Sequence, residues 1–183
     1  MEFLTGIGLA APAGLNAYIP ILAVGLAQRF GLLELAEPWD LLGEWWVIAL
    51  AGVLFLVEVV ADKVPAADSV NDIVQTVVRP AAGGIVFVAA SSEAVDVHPA
   101  LLVAAGVILA GAVHAAKATA RPAVNATTAG FGAPAVSTAE DIIAAATSLA
   151  AVILPIAVAA GLVAIAGFLV WLRVRRSRQR SAA

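Results

Sequence analysis

Thr138–Leu172 reads TAEDIIAAATSLAAVILPIAVAAGLVAIAGFLVWL, and whether it forms one helix or two decides how often this chain crosses a membrane. As a single helix its 35 residues would run to about 52 Å, against a hydrocarbon core of about 30 Å. Pro155 is the one interruption, because its ring collides with the preceding turn and it has no backbone N–H to donate. Charge then decides the matter, since cytoplasmic loops are enriched in Lys and Arg. Divided at Pro155, the chain has six spans, and Lys63, Lys117, Arg121 and the tail arginines Arg173, Arg175, Arg176, Arg178 and Arg180 all face the cytoplasm. Undivided, it has five, and either the tail or the other three cations fall on the wrong side. The acidic loops Leu32–Glu44 and Glu93–His98 face outward in the six-span reading, with Arg29 as the exception.

The other apolar runs are Phe3–Phe30, Trp45–Ala61, Ser69–Ser92 and Pro99–Ala120. The 183 residues are 62% hydrophobic and 13% charged, with a mean hydropathy of +1.01, whereas soluble domains carry about 25% charged residues. This is the composition of an integral membrane protein with no room for a separate soluble domain. The expected fold is an all-α integral membrane bundle of six spans, with both termini inside. Residues 1–172 form a single transmembrane domain and 173–183 a basic cytoplasmic tail. Only Glu2 precedes the first run, without the basic residues of a secretory signal, so that run is read as a retained span. The absence of cysteine excludes disulfides and thiolate chemistry.

A faint repeat links Ser69-Val-Asn-Asp72-Ile-Val to Thr138-Ala-Glu-Asp141-Ile-Ile, and Pro99 with Ala104-Ala-Gly106 to Pro155 with Ala159-Ala-Gly161. It suggests three helical hairpins of the same orientation. Spacings such as Gly106/Ala110 permit close helix contact. Pro12, Gly14, Asn16 and Pro20 fall in the middle of the first run and break it, which membrane depth tolerates only beside protein or a water-filled cavity. Trp39, Trp45 and Trp46 suit the outer interface and Trp171 the inner one.

Glu58–Pro80, EVVADKVPAADSVNDIVQTVVRP, carries the densest charge. An ionised side chain at the centre of a membrane helix costs roughly 2.5 to 3.5 kcal/mol on insertion scales, so each one calls for a reason. Asp68, Asp72, Gln75 and Arg79 make one polar stripe at helical spacing. Helix ends account for several acids: Ser137-Thr-Ala-Glu140 reads as a capping box, Asp72 suits a first turn, and Lys117 and Arg121 suit a last turn. Glu58 and Asp62 escape that account, since they sit at a C-terminal helix end where the dipole disfavours negative charge. They need cations, and Lys63, Arg79, Lys117 and Arg121 are at hand, with His114 at a similar depth. The candidate site is therefore Glu58, Asp62, Lys63, Asp72, Arg79, His114, Lys117, Arg121 and Asp141, together with the break at Pro12, Gly14, Asn16 and Pro20.

Enzyme signatures are missing: there is no HExxH, no Walker loop and no dinucleotide turn, and two His without Cys give no zinc set. The sequence predicts neither catalysis nor a cofactor or metal. Gly130-Phe-Gly132 reads as a turn, and the sequon Asn125-Ala-Thr127 falls on the cytoplasmic side. The arginine tail reads as a topology determinant and anionic-lipid contact, not a nucleic-acid site.

Gly14-Leu-Asn-Ala-Tyr-Ile-Pro20, Glu58, Ala61-Asp-Lys-Val-Pro65, Asp68-Ser69, Asp72, Thr76, Arg79-Pro80, His114-Ala-Ala-Lys117, Arg121, Asn125 and Glu140-Asp141 together make a pattern. It resembles the bacterial membrane family catalogued as domain of unknown function 4126. The likeness runs through nearly the whole chain up to the arginine tail. Asn16 stands where the family suggests a basic residue, and Leu154 where it suggests a His before Pro155. The resemblance implies a compact multi-pass protein of the bacterial cytoplasmic (inner) membrane and names no substrate.

Two functional readings follow. In the first, the broken span and charged cluster pass a small ion or polar solute, which requires a hydrated path to Arg79. In the second, the protein is a non-catalytic accessory or assembly subunit of a larger membrane complex or a homo-oligomer, with its charges sealed in pairs. An intramembrane enzyme ranks behind both.

Overall fold

The computed structural model describes residues 2–62, 65–91, 96–128 and 132–180. Among these residues there are seven α-helices and no strand: α1 Glu2–Ala13, α2 Tyr18–Arg29, α3 Trp45–Ala61, α4 Pro65–Ser91, α5 Pro99–Thr128, α6 Ala133–Ile153 and α7 Pro155–Arg180. A short 3-10 helix, Trp39–Gly43, precedes α3. Proline opens α4, α5 and α7 and lies in the first turn of α6, where a missing N–H costs nothing and a fixed φ favours the helix. Ile73–Ser91, Pro99–Thr128 and Ala133–Ile153 are long and apolar enough to cross a membrane, whereas α3 and Ala160–Arg173 are apolar but shorter.

The division at Pro155 is present. Helix α6 stops at Ile153, Leu154 leaves the helical region with φ −134° and ψ 59°, and α7 returns along α6. In that return Val158, Gly161, Leu162 and Ile165 lie beside Ala146, Thr147 and Ala150. Helices α4 and α5 form a second antiparallel pair, drawn together at Gly83 and Gly106. A side chain on Gly106 would collide with the Gly83 carbonyl and come within 2.7 Å of the Phe87 Cβ, so the small-residue spacing expected at Gly106/Ala110 is the contact itself.

The first apolar run departs from expectation. It breaks where predicted, around Gly14–Ala17, but it does not then continue across: it turns back. On the way in, Gly6 lies against Ser91 and Phe87 of α4, Gly8 against Ala151 of α6, and Gly14 against Ala110 and His114 of α5. On the way out, Ile19 to Leu26 run alongside Asp141 to Leu149, Gly25 meets Ile48 at the start of α3, and the Arg29 guanidinium stacks over Trp45 at 5.1 Å. Helix α1 is thus antiparallel to α4 and α6, while α2 is parallel to α6 and antiparallel to α3. The two form a re-entrant hairpin, each arm 12 residues and so about 18 Å long, short of the roughly 30 Å core.

The first run therefore doubles back instead of passing once through the bundle as the six-span reading expected. The amino terminus shares an end of the bundle with residues 30–44 and Leu154, opposite the end toward which α7 runs. Three antiparallel pairs are nevertheless present, namely α2–α3, α4–α5 and α6–α7, with α1 as an additional central helix. Leu9, Ala10, Ala11 and Ala13 are buried, because α1 is surrounded by α4, α5, α6 and α7.

Trp39 also differs from its expected role as an interfacial anchor. It turns inward and packs against two core clusters, one containing Leu9, Val24 and Val86 and the other containing Ala10, Phe87 and Leu102. Trp45 and Trp46 are exposed at the start of α3, as expected of anchors.

Candidate functional site

The hairpin tip is bound at both helix ends, and opposite charges do the binding. At the end of α1 the Ala11 and Pro12 carbonyls accept turn hydrogen bonds from Gly14, Leu15 and Asn16, and beyond them the ammonium of Lys117 donates to the Leu15 carbonyl at 3.0 Å. Helix α2 begins with free N–H groups. The Asn16 Oδ1 accepts from Tyr18 N at 3.0 Å and Ile19 N at 3.2 Å, while the Asn16 Nδ2 donates to Asp141 Oδ1 at 2.9 Å. Asn16, expected only as a helix breaker, is therefore both the cap of α2 and its bridge to α6.

Beneath the tip lies the ion cluster. Arg79 on α4 is fully buried and donates from Nη2 to Glu58 Oε1 on α3 at 2.8 Å. The same nitrogen stands 4.0 Å from Asp62 Oδ2. Arg79 Nη1 meets His114 Nδ1 at 3.1 Å. A guanidinium only donates, so Nδ1 must be the acceptor and the ring proton sits on Nε2, which faces Thr76 Oγ1 at 3.3 Å. His114 is thus held neutral in this arrangement.

Asp62 closes α3 and gathers the other elements. It accepts from Asn71 Nδ2 at 2.8 Å, Ser137 Oγ at 3.1 Å and Arg121 Nη2 at 3.3 Å, with Lys117 Nζ at 3.8 Å. Lys117 Nζ pairs with Glu140 Oε2 at 2.9 Å, and Arg121 Nη2 lies 3.5 Å from the same oxygen. In these ion pairs Arg79, Lys117 and Arg121 balance Glu58, Asp62 and Glu140. The balance is what lets ionised groups persist away from water.

Six of the predicted residues therefore come together: Glu58, Asp62, Arg79, His114, Lys117 and Arg121. Asp141 is placed at the hairpin, on Asn16. Lys63 and the Asp72 side chain lie outside the described residues. The capping-box reading of Ser137 and Glu140 fails, since α6 begins four residues earlier, at Ala133, and buries Ser137 inside the bundle. Both join the cluster instead. Pro134 in the first turn was the start signal that the sequence offered.

Several buried polar atoms make no hydrogen bond among the described residues, and in the cluster Arg79 Nε is one of them. Glu58 Oε2 and Gln75 Oε1 are buried with no hydrogen-bond partner among the described residues. Gln75 is one turn before Arg79 on the same helix, and its side chain reaches the Tyr18 hydroxyl.

Over residues 3–175 the sequence matches the family described as Domain of unknown function (DUF4126). The chain belongs to this family. The family match spans the hairpin from Phe3, every cluster residue and, of the tail arginines, Arg173 and Arg175. No curated protein and no solved structure matches the chain. The family description names no activity, so function has to be argued from the geometry.

Proposed function

We propose that this protein passes a small ion or polar solute across the bacterial cytoplasmic membrane, through the charged cluster under the hairpin tip, with no catalytic step and no cofactor. One observation carries the reading: the non-helical tip, Gly14–Ala17, sits at the depth of the cluster, with the Leu15 carbonyl on Lys117. Irregular backbone at membrane depth and buried ionised side chains each mark solute pathways in membrane proteins, and here they touch. Closed over Arg79 and Glu58, the arrangement corresponds to an occluded state in such a cycle.

The pairing of the charges favours a second reading, an accessory subunit of a larger membrane assembly, in which the cluster only locks the helices together. Flux into proteoliposomes separates the two. In the transport reading, vesicles holding the parent protein take up protons or a monovalent cation faster than empty ones, and Arg79→Ala and Glu58→Gln lose most of that flux. Unaltered flux in both variants removes the transport reading and leaves the accessory one.

The same proposal includes a topology of five crossing helices, α3 to α7, around the hairpin, as one transmembrane domain. Lys63, Lys117, Arg121 and the arginine tail remain cytoplasmic, the tail against anionic lipid, while the amino terminus lies outside. Because the chain has no cysteine, a single Phe3→Cys reports its own side. An impermeant maleimide should label it in intact cells, as it should Leu154→Cys. Labelling of Phe3→Cys only after lysis would restore a crossing first span.

A further inference from the structure

We infer that Glu58 binds a proton on its Oε2 atom and that this proton sets the hold of the cluster on the hairpin tip. The inference deepens the transport reading by naming the proton as a ligand of the site, and it rests on that reading only for its use.

Glu58 is 1% exposed and Gln75 2%, yet each keeps one acceptor oxygen without a donor among the described residues. A buried acceptor without a donor costs about 1–3 kcal/mol, more when charged. Among the described residues, no side chain facing Glu58 donates to this oxygen. From α4, Arg79 donates through Nη2 to Oε1 and through Nη1 to His114, and its Nε makes no hydrogen bond to Oε2. From α5, Lys117 is committed to Glu140 and Leu15. From α2, the Tyr18 hydroxyl lies against Gln75 and makes no hydrogen bond to Oε2. At the end of α3 itself stands Asp62, a second carboxylate. The 3-10 helix meets α3 at its opposite end, with Asp40 on the exposed surface. A proton taken from water and bonded to Oε2 turns an unmatched acceptor into a donor.

Its effect follows from the charge balance. Protonated on Oε2, Glu58 keeps Oε1 as an acceptor but no longer offers Arg79 a negative charge, and Arg79 Nη2 already has Asp62 Oδ2 at 4.0 Å. The guanidinium passes to Asp62, and three cations then face two carboxylates, Asp62 and Glu140. Lys117 feels the excess most directly, since it lies 3.8 Å from the same Asp62 oxygen. It is also the cation that holds the Leu15 carbonyl. Proton binding on α3 is thereby felt at the tip, by way of Arg79, Asp62 and Lys117. No covalent bond other than the new O–H forms or breaks.

Two measurements on the reconstituted full chain test this. Infrared difference spectra between about pH 9 and about pH 5 should show a protonated-carboxyl band that Glu58→Gln removes and Glu58→Asp shifts in frequency. In a Leu15→Cys background, maleimide labelling should rise several-fold at the acid end, be high at every pH with Glu58→Gln, and keep its pH dependence with Glu58→Asp. A band untouched by both variants, or labelling of Leu15→Cys that ignores pH, overturns the proposal. Should Glu58→Gln fail to fold, the Glu58→Asp shift and the pH dependence of Leu15→Cys decide it alone. A Glu58 band in a protein without flux removes the transport reading and keeps the proton site; flux without a Glu58 band does the reverse.

Discussion

Replacing Arg79 with Leu lowers stability by about 3–5 kcal/mol, the usual effect of removing one partner from a buried pair. The loss comes from what stays behind. Glu58 Oε1 loses its 2.8 Å donor in a place where the carboxylate is 1% exposed, and His114 Nδ1 loses the donor that fixes its tautomer. The double variant Glu58→Leu/Arg79→Leu should recover much of the loss, because an apolar pair of similar volume is often as stable as the ions it replaces. Denaturant unfolding in mixed micelles measures both variants and gives the coupling energy of the pair. A single variant within about 1 kcal/mol of the parent, the range of an exposed ion pair, would mean that the guanidinium and carboxylate are not buried together.

Gly14→Val is the second large effect, and it acts through shape instead of charge. A Cβ at this position would collide with the Ala110 carbonyl oxygen, come within 2.6 Å of the Val113 Cβ and lie 3.0 Å from the His114 nitrogen. Two of those three are backbone atoms of α5, which cannot rotate out of the way. Ordinary overpacking costs about 1–3 kcal/mol. Here the displaced segment also carries the Leu15 contact with Lys117 and the Asn16 contact with Asp141, so the loss should exceed that range. The expected result is a protein that retains its helices by circular dichroism but unfolds at much lower denaturant, with Gly14→Ala intermediate. Parent-like unfolding of Gly14→Val would show that the tip does not dock on α5.

Much of this arrangement was legible in the residues. Pro155 announced the separation of α6 from α7, and Gly14 with Asn16 announced the break in the first run. The helix dipole argument singled out Glu58 and Asp62 as acids in need of cations, and Arg79, Lys117 and Arg121 are the cations they found. The direction of the chain after the break was not legible. A Pro, Gly and Asn cluster says where helical bonding stops, but which way the next helix points depends on long-range packing against α3, α4 and α6. The positive-inside rule was silent as well, because residues 1–28 contain no Lys or Arg, and moving such a terminus from one side to the other leaves the cation count unchanged. Ser137 and Glu140 were misassigned for a related reason: their spacing is that of a capping box, and only the upstream start at Ala133 shows that the hydroxyl serves Asp62.

The reversal of the leading arm also bears on how the molecule comes to be built. On the ribosome α1 is made before the helices that enclose it, α4 to α7, which are completed between residues 65 and 180. With each arm about 18 Å long, neither half is a span that inserts as an independent crossing, and contacts so distant in sequence form slowly. This leading arm is thus fitted after helices made later than itself, its vestibule assembled by the chain that follows, and a polypeptide released before α6 is finished carries the arm unhoused.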